Sequence, residues 1–133
     1  MNLQELESQF RKKITNREWR NRKALLGDAL LRLEAVRVGL SEMPDKTAGQ
    51  VTDKINHFQT NDFMIKEMKG WGIVIEAGWH GKVVADAFEA WIGFLYEQQP
   101  MIGVQFCQQY SRHHLGVVQL KSLSEVTSGL IGE

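Results

Sequence analysis

With one cysteine, Cys107, the chain has no partner for an internal disulfide, and nothing covalent staples its 133 residues. The lone thiol fits a reducing, cytoplasmic setting. Charge of one sign is not in excess: 16 basic residues balance 16 acidic ones. The protein as a whole is therefore not electrostatically primed for nucleic acid, and any such role has to be local. No hydrophobic run is long. The most apolar stretch, residues 83–96, is interrupted by Asp86 and Glu89 and falls short of the roughly 18–20 apolar residues that span a bilayer. The opening MNLQELESQF is acidic and lacks the apolar core of a signal peptide. These absences lead us to expect a soluble protein with no membrane partner. Glycine-rich phosphate loops, a Walker lysine, zinc-finger spacing, aromatic RNP patterns and leucine-zipper heptads are all missing. No cofactor and no metal is called for. A chain of this length buries about two-thirds of its unfolded surface and folds without either.

What is present centres on residues 10–40, FRKKITNREWRNRKALLGDALLRLEAVRVGL. Residues 11–23 hold seven Lys/Arg against one acid, Glu18, whereas eleven of the seventeen residues from 24 to 40 are apolar. Charge is segregated accordingly. Residues 1–42 carry nine basic and six acidic groups, and residues 43–133 carry seven and ten, so the two parts differ in sign. Leu3, Leu6, Phe10 and Ile14 recur at helical steps, but the stripe breaks at Arg17 and Arg20. Thr15 with Glu18 three residues on reads as a capping box that starts a second helix. In that helix Trp19, Leu26, Leu30 and Leu33 share one face, widened by Leu25, Ala29, Val36 and Leu40. Leu31, Ala35 and Val38 form an opposite stripe. Gly27 costs roughly 1 kcal/mol of helix propensity against Ala, which a close helix crossing would justify.

Met43-Pro44 stops this helix. Val51, Ile55 and Phe58 mark a short amphipathic helix, residues 59–62 interrupt it, and Phe63 to Met68 resume it. Residues 70–81, GWGIVIEAGWHG, have no helical look, and Ile73-Val74-Ile75 between two Gly-Trp pairs reads as extended. Residues 82–97 form the strongest helix, apolar around most of its circumference, with a narrow polar strip of Lys82, Asp86, Glu89, Gly93 and Glu97. Pro100 opens a last helix through Phe106 and Tyr110. The closing SEVTSGLIGE reads as a frayed turn or tail. The expected fold is mostly α: a compact bundle of four to five helices with at most one short extended segment near 72–76. It is a single domain over 1–133, with basic and amphipathic N-terminal helices in 1–42, short helices in 45–70 and apolar helices in 82–115. Two helices apolar on several sides suggest a homo-oligomer, formed through residues 24–40 or 82–97.

The functional reading rests on surfaces. Lys13, Arg17, Trp19, Arg20, Arg22 and Lys23 form the best candidate for binding an acidic protein partner or nucleic acid, with Arg supplying bidentate contacts and Trp19 a stacking face. Trp71 and Trp79 are candidate anchors of a partner-binding loop. The first expectation is a non-enzymatic interaction or regulatory protein that binds a protein partner through its helical surface. The alternative is a nucleic-acid-binding accessory protein using residues 11–23. Last comes a small enzyme built on Cys107, His113 and His114 or on the acids Asp86, Glu89 and Glu97. Cys107 and His114 lie seven residues apart, a poor spacing for a metal pair on one helix. His57 and His80 are isolated in the sequence.

Overall fold

The computed structural model describes residues 2–71, 81–116, 127 and 129–131, leaving the side chains of 69–71 aside. The described part is an all-helical bundle. Its helices are α1 (Leu3–Lys13), α2 (Arg17–Glu42), α3 (Ala48–Phe58), α4 (Asn61–Trp71), α5 (Lys82–Gln98) and α6 (Pro100–His114). The expected extended segment near 72–76 lies outside the described residues, as do Trp79 and the side chain of Trp71.

The helix ends follow from local hydrogen bonding. Asn2 caps α1 by accepting from the Glu5 amide. The corner at residues 14–16 is real, but Thr15 does not cap α2. Asn16 does, accepting from Trp19 N at 2.9 Å. Asparagine is at least as good an N-cap as threonine, so the helix starts one residue later than the Thr15–Glu18 pair implies. A complete capping box does occur at α3, where Thr47 and Gln50 exchange hydrogen bonds. Pro100 occupies the first turn of α6, where its missing N–H leaves no bond unmade.

The core sits around α5. Val84, Ala85, Phe88, Ala90, Trp91, Ile92 and Leu95 are essentially inaccessible to solvent. Phe10 from α1 packs edge-on to Trp91 at 5.1 Å and against Phe94 at 5.6 Å, and Trp19 joins the same aromatic group. Leu6, Phe10 and Ile14 are the buried stripe of α1, each worth about 1.5–3 kcal/mol on burial. On the other side of α5, Phe88 and Phe58 meet Tyr110 of α6 at 5.2 and 5.9 Å. All faces of α5 are thus covered within one chain, so its apolar circumference does not call for a second subunit.

The polar strip of α5 departs most from its sequence reading. Glu89 and Gly93 do not face solvent; they lie under α2. A Cβ on Gly27 would stand 1.7 Å from the Glu89 carbonyl oxygen, and one on Gly93 would stand 2.1 Å from that of Lys23. The two backbones touch, and only hydrogen fits between them. Gly103 plays the same part between α6 and Tyr96 of α5, with a Cβ there 2.7 Å from the Tyr96 Cα. Four residues of the closing segment are described. Residues 127 and 129–131 are helical, Thr127 is buried, and Leu130 and Ile131 pack against the core.

Candidate interaction surface

The basic segment is divided by the corner it spans. Lys13 ends α1 while Arg17 and Arg20 belong to α2, so the three do not form one helical ridge. Arg20 is buried, and its Nη1 donates to the Ile14 carbonyl at 2.9 Å, clamping the α1–α2 corner. Lys23 is paired with Glu97 of α5 and stands 5.6 Å over the Trp19 ring. Trp19 is half-buried against Phe10 and Phe94. Three of the six candidate side chains therefore serve the fold. Arg11, Lys12, Lys13, Arg17 and Arg22 remain exposed around the corner.

Among the described residues, three of the four exposed large apolar side chains lie further along α2, the fourth being Met101 of α6. Its buried face holds Ala24, Gly27, Leu30, Leu31, Ala35 and Val38, so the stripe of Leu31, Ala35 and Val38 points inward. Much of the other stripe points out: Leu25 is 74% exposed, and Leu33 and Leu40 are 55% exposed. Ala29 is exposed, and Leu26 and Val36 are half-buried. Sequence periodicity shows two apolar faces, but it cannot say which one α5 takes. Gly27 decides, because the close crossing must occur on its side of the helix.

Leu26, Leu33 and Leu40 are spaced by seven, with Ala29 and Val36 between them at steps of three and four. This is the spacing of a helix-pairing seam. Exposed Arg22, Arg32 and Arg37 border it. Arg32 donates to Asn56 of α3, and Arg37 reaches Glu34 at 3.1 Å. The two acids of the stretch are both engaged within the fold. Glu34 is buried and accepts from Gln108 of α6 at 2.9 Å. Asp28 is hydrogen-bonded to Glu89.

That carboxyl pair is a feature the sequence did not disclose. Glu89 is buried, and its pKa is raised to about 9, first by burial and then by the hydrogen bond and the charge of Asp28. It is therefore a neutral acid at pH 7. The pair lines a cleft of about 360 Å³ between α2, α4 and α5, together with Asn21, Gln59, Lys82 and Asp86. Lys82 bonds Asp86 as the i, i+4 spacing implies. Glu97, the third acid of the strip, is the partner of Lys23.

The Cys–His candidates separate. Cys107 is in the core, where burial pushes its thiol far above the usual range, so it carries no thiolate at neutral pH. His114 is an aromatic packing residue, stacked on Phe58 and edge-on to Phe63 and Tyr110. Burial lowers its pKa to about 4, with help from His113 and His57. Its Nε2 is 3.7 Å from Glu67, whose own pKa is raised by burial. His80 lies outside the described residues. Among those described, no group of three or more His, Cys, Asp or Glu is placed to hold a metal ion. No helix among them is long and apolar enough to cross a membrane.

The hydroxyl of Tyr110 is buried, and it has no hydrogen-bond partner among the described residues. Tyr110→Phe removes a desolvated polar group and keeps the ring contacts, so we expect it to raise stability by about 1 kcal/mol. Urea unfolding of the two proteins measures this. A loss of stability would mean that the hydroxyl is bonded in solution.

Comparison with family models, with curated proteins and with solved structures finds no match.

Proposed function

We propose that this chain is a non-enzymatic interaction protein that binds a protein partner through the outer face of α2. The observation that carries the reading is the line of exposed leucines at 25, 33 and 40 on a helix otherwise sealed against α5. A chain that buries Trp91, Phe94, Phe106 and Tyr110 almost completely has not run short of core positions. Among the described residues, three of the four exposed large apolar side chains, Leu25, Leu33 and Leu40, lie on this one helix, with Met101 of α6 the fourth, a clustering typical of an interaction site. The same face is where a homo-oligomer would form, since α5 offers none.

A photocrosslinking residue at position 33, in the protein expressed in its native cells, tests the reading. One at Asp53, exposed on α3, is the control. We expect a discrete adduct from position 33 that Leu40→Glu abolishes and that the control does not give. Identical products from both positions, or none from 33, would contradict it.

A second reading is favoured by the exposed remainder of the basic segment, Arg11, Lys12, Lys13, Arg17 and Arg22, gathered around one corner. It makes this corner a phosphate-backbone contact for nucleic acid. Such binding would weaken steeply with salt. A titration of labelled DNA and RNA at two salt concentrations, with an alanine variant of the five, tests it.

A further inference from the structure

The chemistry bordering the α2 seam specifies its occupant more closely. We infer that this face docks an amphipathic helix whose apolar seam is flanked by carboxylates, an inference that rests on the protein-binding reading above. Residues 26 to 40 present their apolar side chains over about 21 Å of helix axis, at roughly 1.5 Å per residue. That length matches a partner helix of two heptads. The alternating steps of three and four fit knobs from a second helix lying nearly parallel to α2. A strand or an irregular loop would leave half of such a seam uncovered.

Charge selects the partner's flanks. Arg22, Arg32 and Arg37 stand along the exposed strip. Among the described residues between them, Glu34 is buried against Gln108 and pairs with Arg37, and Asp28 turns to Glu89, so no carboxylate of this stretch answers Arg22 or Arg32. Flanking charges of this kind set partner choice in paired helices. A second copy of this chain fits poorly, since it would bring a face with the same arginines against this one. A partner helix with Asp or Glu beside its seam meets Arg22 and Arg32. Like charges set against each other cost affinity, so the arginines also reject basic amphipathic helices.

Two labelled synthetic helices test this, each with leucine at the seam positions, one flanked by glutamate and the other by lysine. Binding is read by fluorescence anisotropy, with sedimentation equilibrium of the protein alone. We expect the glutamate helix to bind at least tenfold more tightly than the lysine helix. Leu33→Glu should weaken it at least tenfold while leaving the circular dichroism and melting temperature unchanged, because Leu33 is exposed. Arg22→Glu with Arg32→Glu should reverse the preference. Arg37 is left in place because it pairs with Glu34. Equal binding of both helices, lost in Leu33→Glu, would overturn the acidic partner and leave the protein-binding reading standing. A dimer of the protein alone, broken by Leu33→Glu, would overturn it in favour of a second copy. No binding and no dimer would overturn it outright, and crosslinking at position 33 then judges the wider reading separately.

Discussion

Gly93→Ala is expected to cost about 3 kcal/mol or more and to leave little folded protein at 37 °C. The added methyl would lie 2.1 Å from the Lys23 carbonyl oxygen, and that obstacle is backbone, not a side chain that can swing aside. Gly27→Ala is the reciprocal case, with 1.7 Å to the Glu89 oxygen. Either change pushes α2 off α5 along the contact that holds the bundle together, and close-packed interiors relax poorly. Helix propensity alone would favour alanine by roughly 1 kcal/mol, so the sign of the effect separates packing from propensity. Gly49→Ala is the internal control. It lies on α3, where an added methyl would meet nothing nearer than 3.9 Å, and we expect a gain of about 0.5–1 kcal/mol. Denaturant unfolding of the three variants measures all of this. A tolerated Gly93→Ala would mean that the helices do not cross where the structure puts them.

Stability is expected to fall as pH rises from about 6.5 to 9, and Glu89→Gln is expected to remove most of that fall. The unfolded chain gives up the Glu89 proton near pH 4.5, whereas the folded chain keeps it to about 9. Between those values the unfolded state binds fewer protons, so each pH unit costs the fold up to about 1.4 kcal/mol. His114 works in the opposite sense. Its folded pKa of about 4 lies below the ordinary 6.5, so its contribution is lost as pH falls through that interval. The two slopes offset each other between about 4.5 and 6.5, which leaves a plateau there and a decline above it. Glutamine keeps a donor for Asp28 and has no proton to lose. The variant should match wild type near pH 4.5 and exceed it by a few kcal/mol at pH 8. Melting temperatures across pH 4–9 check this. A flat wild-type profile above 6.5 would place Glu89 in water.

Much of the fold is legible in the sequence, for physical reasons that differ by element. Apolar spacing marks the helices, and Pro100, Met43-Pro44 and residues 59–62 mark their ends within a residue or two. That Gly27 sits at a crossing follows from its propensity cost; that Gly93 is its counterpart needs three dimensions. Glu89 reads as solvent-facing because a charged residue on a narrow polar strip is usually exposed. What buries it is the glycine one turn along, which brings α2 within contact of that strip. Arg20 is hidden for a similar reason: its charge suggests a surface, but its reach to the Ile14 carbonyl depends on a corner that spacing locates without orienting. On α2 the sequence shows two apolar faces and leaves open which is inside. The surface we propose lies on the face that remains out.

Residue-resolved carbene footprinting of the protein, purified and in extract of its native cells, tests the central claim most directly. We expect Leu26, Leu33 and Leu40 to be labelled in the purified protein and shielded in the extract, with α1 and α3 unchanged. Shielding confined to residues 11–17, with the leucines of α2 labelled equally in both, would contradict it and move the interaction surface to the basic corner.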